Sequence, residues 1–123
     1  MVEELKSAFL SHGWKVETEF FCRRNGVTTF FDVYAVKGRR EVAVEVETSV
    51  RHVVDNVRKA QAVGIDVWIV VPSRKLQRVV GTCPSRDIAG IPALLVGEVG
   101  SILDLDDPRT SVDLQSQDRG VWE

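Results

Sequence analysis

Val2, Leu5, Ala8, Phe9 and His12 recur at helical spacing and Gly13 follows as a stop, so the chain is expected to open with a helix. In the segment WKVETEFFCR that follows, Trp14, Val16, Phe20 and Cys22 alternate with polar residues up to Asn25-Gly26, a two-residue hairpin signal. TFFDVYAV returns as a second strand, KGRR makes a tight turn, and EVAVEVE reads as a third strand with Val42, Val44 and Val46 on one face. From Ser49 to Val63 the period changes: Val50, Val53, Val54, Val57, Ala60 and Val63 are spaced by charges and closed by Gly64, which predicts an amphipathic helix. IDVWIVV, bounded by Gly64 and Pro72, is apolar enough for a strand covered on both faces. A shorter helix is expected from Arg74 to Val80 and a last strand from Ile91 to Val96. The order α-β-β-β-α-β with an additional αβ predicts an α/β fold, a mixed central sheet flanked by helices.

With 123 residues, 44% of them hydrophobic, the chain can bury one core and is too short for two ordinary domains. A single domain over residues 1–103 and an acidic tail over 104–123 are expected, because the last twenty residues hold five Asp, one Glu and two Arg. The net charge of −2 therefore hides a mildly basic body. Arg23, Arg24, Arg39, Arg40 and Arg51 fall mainly in turns and at element ends, where a phosphate backbone can meet them, although any one of them also suits a solvated surface. MVEELKSAFLSHGW lacks the apolar run of a signal peptide and no later segment approaches a membrane span, so a soluble, cytoplasmic protein without membrane attachment is expected. Cys22 and Cys83 stand far apart with no metal-ligand spacing and read as structural thiols. His12 and His52 have no partner at ligand spacing and are assigned no chemistry.

The carboxylates carry the chemical signal. If Gly38-Arg39 form a two-residue loop, Asp32 falls directly opposite Glu45, and Glu47 lies on the same face roughly 6 to 7 Å further along the strand. If Asn25-Gly26 forms a similar loop, Glu19 also falls opposite Asp32. Like charges facing one another across strands are destabilising, so such a group calls for solvent, cations or a bound metal ion. Phe30, Tyr34 and Ala43 share the expected face, which argues against a simply wet surface. Oxygen donors without nearby His or Cys suit Mg²⁺, or Mn²⁺, rather than zinc.

A helix, a β-meander with an Asp mid-way along its second strand, an acid-x-acid pair on its third and a following helix together resemble the PD-(D/E)XK, restriction-endonuclease-like nucleases. FDVYAV and EVAVEVETSV carry the resemblance, which extends over residues 1 to about 72 in element order. It implies a Mg²⁺-dependent deoxyribonuclease with Asp32 and Glu45 as metal ligands, and Glu47 is expected to join them in holding the metal and to orient the attacking water unless Lys59 does so. This sequence lacks the Pro-Asp pair and has Glu47 where the family usually has lysine, as in the acid-x-acid variants. NVRKAQ sets Asn56 and Lys59 three residues apart on one helical face, and with Glu-x-Glu-Thr this is similar to nuclease domains of archaeal and mobile-element proteins. Lys59 can thus replace the missing strand lysine or be an ordinary solvated one. Many members add a Glu from the first helix, for which Glu4 is the better placed of Glu3 and Glu4, though an exposed first-turn Glu needs no such role. One site per chain makes a homodimer on DNA the expected assembly for cutting both strands. A Holliday junction resolvase, or a non-catalytic nucleic-acid or partner-binding module of the same fold, is the competing reading.

Overall fold

The computed structural model describes residues 1–83 and 90–106. Leu5 and Phe9, four apart and both fully buried, define the inner face of helix α1 (Val2–Ser11), and Gly13 at φ +84° turns the chain out of it. Strands β1 (Lys15–Arg24) and β2 (Val27–Lys37) form a long hairpin about Asn25-Gly26, both at positive φ as a two-residue loop of this kind requires. Strand β3 (Arg40–Val46) pairs antiparallel with β2 through Val33↔Val44, Tyr34↔Ala43 and Ala35↔Val42. Helix α2 (Val53–Ala62) carries the chain over one face of the sheet to β4 (Asp66–Val71), which runs parallel to β3. Helix α3 (Arg74–Gly81), capped by Ser73 Oγ accepting the Leu76 N–H, precedes β5 (Ala93–Leu95), parallel to β4, and helix α4 (Val96–Asp106). The described residues thus form an α/β fold whose five-stranded mixed sheet has the order β1-β2-β3-β4-β5, with four helices.

Alternation along β3 and β4 divides the apolar residues between two cores. Val42, Val44, Trp68 and Val70 meet Leu5 and Phe9 of α1 and Val99 and Leu103 of α4 on one face; Ala43, Val67, Ile69 and Val71 meet Val53, Val57 and Ala60 of α2 and Val80 of α3 on the other. Each fully buried side chain of this size contributes about 1.5–3 kcal/mol, and the two layers fix where the polar positions of β3 must lie.

The hairpin departs from simple alternation. Val16, Val33 and Ala35 pack in the α1/α4 core, but Phe20, Cys22 and Phe31 pack in the α2/α3 core. The switch occurs at Glu19, held at φ +50°, and opposite it at Asp32; the β1–β2 register skips this one pair and resumes unchanged on either side. The outer half of the hairpin therefore bends over the α2 face. Phe20 stacks on Tyr34 with centroids 4.1 Å apart, and Asn25 Nδ2 donates to the Ala62 carbonyl at the end of α2. At its tip the Arg24 guanidinium grips both oxygens of Glu41, at 3.1 and 2.6 Å, and Tyr34 donates its hydroxyl proton to the same carboxylate.

Several sequence expectations shift. Trp14 and Val16 do not share a face with Phe20 and Cys22, because the left-handed residue at 19 inverts the side-chain direction. Phe30 is 64% exposed and leaves the Tyr34/Ala43 face for the same reason. The second helix begins at Val53 rather than Ser49, since residues 47–52 first turn away from β3. The last strand is only Ala93–Leu95, and α4 continues to Asp106, beyond the expected tail boundary at 104. Residues 107–123 lie outside the described residues. Cys22 and Cys83 are free thiols. No helix among the described residues is long and apolar enough to cross a membrane.

Candidate functional site

Glu45 and Glu47 occupy the carboxyl end of β3, the end at which open α/β sheets ordinarily present ligand-binding groups. They alternate with Val44 and Val46 and so project to the α2 side, where burial leaves Glu45 5% and Glu47 8% exposed. The parallel strand supports this end: the Glu47 N–H donates to the Val70 carbonyl at 2.9 Å.

Asp32 reaches the same end from β2. The β2–β3 ladder stops at Val33↔Val44, one pair short of Asp32 and Glu45, because the outer hairpin bends away there. The Val46 N–H, left without a strand partner on that side, donates instead to Asp32 Oδ2 at 2.8 Å. Asp32 thus stands beside Glu45 as the two-residue-loop register predicts, through a side-chain bond in place of a continued ladder.

Helix α2 supplies the remaining groups. Asn56 Nδ2 donates to Glu47 Oε2 at 2.6 Å. Lys59, one turn on, is exposed, and its charge acts favourably on Glu45. Burial pushes the Glu45 carboxyl up to about 8, helped by repulsion from Asp32 and Glu47 and by a hydrogen bond shared with Asp32; Lys59 opposes the shift. Burial raises Glu47 as well, with the Asn56 amide working against it, repulsion from Asp32 adding to it and His52 opposing it. Each carboxylate is engaged with protein: Asp32 with Val46, Glu47 with Asn56, and Glu45 with Asp32. Among the described residues no group of three or more His, Cys, Asp or Glu side chains is already converged as a metal-binding cluster. The donor set is nonetheless all hard oxygen and of one sign, with Glu45 and Glu47 buried and Asp32 half-buried, which is the chemistry a Mg²⁺ or Mn²⁺ ion fits.

The other sequence candidates separate. Glu19 is exposed at the kink and is skipped by the β1–β2 register beside Asp32. Glu4 lies on α1, in the layer across the sheet from Glu45 and Glu47, and pairs with the terminal amine at 3.6 Å. Arg39 and Arg40 sit at the opposite end of β3 from the acids, where Arg40 lies 5.3 Å from the Trp14 ring centroid. Arg24 is committed to Glu41. Arg51, exposed just ahead of α2 and four residues after Glu47, is the one of these five nearest the acidic end, whereas Arg23 is exposed on the outer hairpin beside Arg24, which meets Glu41 at the other end of β3. Sequence reasoning did not single out the Arg24–Glu41–Tyr34 group, whose members lie seven to seventeen residues apart and meet only because the hairpin bends.

No known family profile matches the chain, and no curated protein matches it. Among solved structures it is similar to a crystal structure described as a protein of unknown function, AF1548, with a TM-score of 0.55 and 16% identity over 76% of this chain. That likeness shows a shared fold alone, and this chain spans 56% of that protein.

Proposed function

We propose that the chain is a metal-dependent nuclease of the PD-(D/E)XK, restriction-endonuclease-like kind, hydrolysing DNA phosphodiester bonds at Asp32, Glu45 and Glu47. The observation that carries this reading is the placement of two buried carboxylates on one strand end with a third delivered beside them from the neighbouring strand, in a position where burial first, and their mutual repulsion next, raise Glu45. A divalent cation relieves that repulsion, and the order α-β-β-β-α-β agrees with the fold.

Mg²⁺, held by Asp32 and Glu45 with Glu47 beside them, would acidify a water molecule and neutralise charge on the phosphorus oxygens. The protein's own groups do the rest. Asp32 is fixed by the Val46 N–H, so its carboxylate keeps one orientation; Asn56 fixes Glu47 in the same way. Lys59 supplies the cation that the strand lacks at position 47 and can orient a water between itself and Glu45. Arg51 offers positive charge to the flanking phosphates, and Arg23 offers it to backbone farther along the hairpin. One site per chain calls for a two-fold homodimer to cut both strands of a duplex.

The test is cleavage of labelled linear duplex, single-stranded and four-way-junction DNA with Mg²⁺, Mn²⁺ or EDTA, with Asp32→Asn and Glu45→Gln alongside. Metal-dependent cleavage lost in both variants supports the reading, and preference for the junction selects a resolvase. Absence of cleavage by folded protein replaces it with the second reading, a binding module, which the acid at position 47 favours.

A further inference from the structure

Phe21 and Phe30 are large apolar side chains on the outer hairpin, 51% and 64% exposed, and they pair across β1 and β2 with ring centroids 5.1 Å apart and planes tilted by 58°. Their neighbours on the same strands, Phe20 and Phe31, face inward, and Phe31 is fully buried. The hairpin therefore spends two aromatics on its core and turns two more to solvent, and the bend at Glu19 and Asp32 decides which face is which. Two exposed rings in contact offer a flat apolar surface whose burial against another π-face is favourable.

The size of the patch selects the partner. Two half-exposed phenyl rings offer on the order of 200 Å², far below the roughly 800 Å² per partner of a stable protein interface. It is the right size for one or two nucleobases. The location agrees: Phe30 precedes Asp32 by two residues on β2, so the patch adjoins the bend at which Asp32 reaches the carboxylates. Arg23, exposed two residues beyond Phe21, offers charge to the adjoining backbone.

We infer that Phe21 and Phe30 form a wedge that stacks on an unpaired base next to the scissile phosphate, so that the substrate is DNA with an unpaired or distorted segment rather than continuous duplex. This rests on reading Asp32, Glu45 and Glu47 as the phosphodiester site. Bases inside an intact helix have no free face for the rings, whereas single strands, loops and junction crossovers do.

The experiment measures binding of fluorescein-labelled DNA in EDTA and in Ca²⁺, so that no cleavage is needed. The probes are a linear duplex, the same duplex with an internal unpaired loop, and a single strand; the proteins are wild type, F21A/F30A and Phe30→Trp. Wild type is expected to prefer looped and single-stranded DNA, F21A/F30A to lose about ten-fold or more on those two while duplex binding holds, and Phe30→Trp to retain the preference with indole fluorescence quenched by DNA. Equal binding of paired and unpaired probes, or wild-type affinity in F21A/F30A, overturns the inference. So does a wild-type dimer that F21A/F30A converts to monomer by sedimentation with DNA selectivity unchanged, which assigns the patch to a second copy. Because no cleavage is read, the selectivity stands even where Asp32→Asn shows the carboxylates to be non-catalytic.

Discussion

Asp32 Oδ2 accepts the Val46 N–H at 2.8 Å, one residue beyond the last ladder pair of β2 and β3. The carboxylate substitutes for a strand carbonyl at the point where the hairpin bends away, so one side chain closes the sheet and faces the acidic site. Structure and chemistry at position 32 are therefore separable by choice of substitution. Asp32→Asn keeps a carbonyl oxygen for Val46 and is expected to stay within about 1 kcal/mol of wild-type stability while losing metal-dependent cleavage by 10²-fold or more, on the order expected for removal of a metal ligand. Asp32→Ala leaves the N–H unpaired and is expected to cost about 1–3 kcal/mol as well. Urea melts beside cleavage assays check both halves; equal destabilisation by Asn and Ala contradicts the capping role.

Glu45 sets a pH dependence of stability. Its carboxyl is raised from 4.5 to about 8 in the folded chain, so its contribution is fully present below 4.5, where both folded and unfolded states hold the proton. As pH rises from there, the unfolded chain releases its proton and the folded one keeps it, and stability falls by up to about 1.4 kcal/mol per pH unit until the folded group ionises near pH 8. Glu47, also raised, acts in the same direction. Glu45→Gln is expected to flatten the decline between pH 5 and 8 and to melt higher than wild type at pH 8. Added Mg²⁺ should raise the wild-type melting temperature at pH 8 and leave Glu45→Gln nearly unmoved. Thermal melts across pH with and without Mg²⁺ read all of this, and a wild type that is most stable at pH 8 without metal contradicts it.

The Arg24–Glu41–Tyr34 group holds the hairpin tip down over α2, with the opposite sign of pH dependence. The Arg24 guanidinium, followed by the Tyr34 hydroxyl, holds Glu41 below the usual carboxylate range, so its contribution is present above the ordinary glutamate pKa and is lost as pH falls through the lowered one. Burial first, and Glu41 next, push Tyr34 up to about 12. Glu41→Gln is expected to raise amide exchange at residues 20–31 selectively and to speed it little in β4, because the tip can lift without opening the central strands. Uniform exchange across the sheet would show that the hairpin does not open as a unit.

The meander and the Asp32–Glu45–Glu47 grouping were legible in the sequence because two-residue loops fix register, and register fixes faces. The same parity rule failed at Phe30, Trp14 and Val16, since no sequence signal marks Glu19, an ordinary strand residue, as left-handed. Helix α4 was hidden for a different reason. Val96, Val99 and Leu103 carry helical spacing, but Gly97 and Gly100 between them lower the helical propensity, and it is packing against α1 and the sheet that favours the element. Asn56 and Lys59 could be read as a pair from i, i+3 spacing; that they face the acids depends on α2 crossing this particular side of the sheet.

Glu47 and Lys59 together decide whether the site works without a strand lysine. Glu47 is held by Asn56 and raised by burial, while Lys59 lies on the next turn of α2 with its charge acting on Glu45. If Lys59 stands in for a cation at position 47, the two positions are coupled: Lys59→Ala should lower kcat by about 10- to 100-fold with KM little changed, and Glu47→Lys should lessen that loss when combined with it. Glu47→Lys alone should also bring the Glu45 carboxyl down toward its ordinary range, because a like charge is exchanged for an opposite one, and the stability decline between pH 5 and 8 should shrink accordingly. Additive effects of the two substitutions on cleavage would place Lys59 on the solvated surface and leave the water to Glu47 alone.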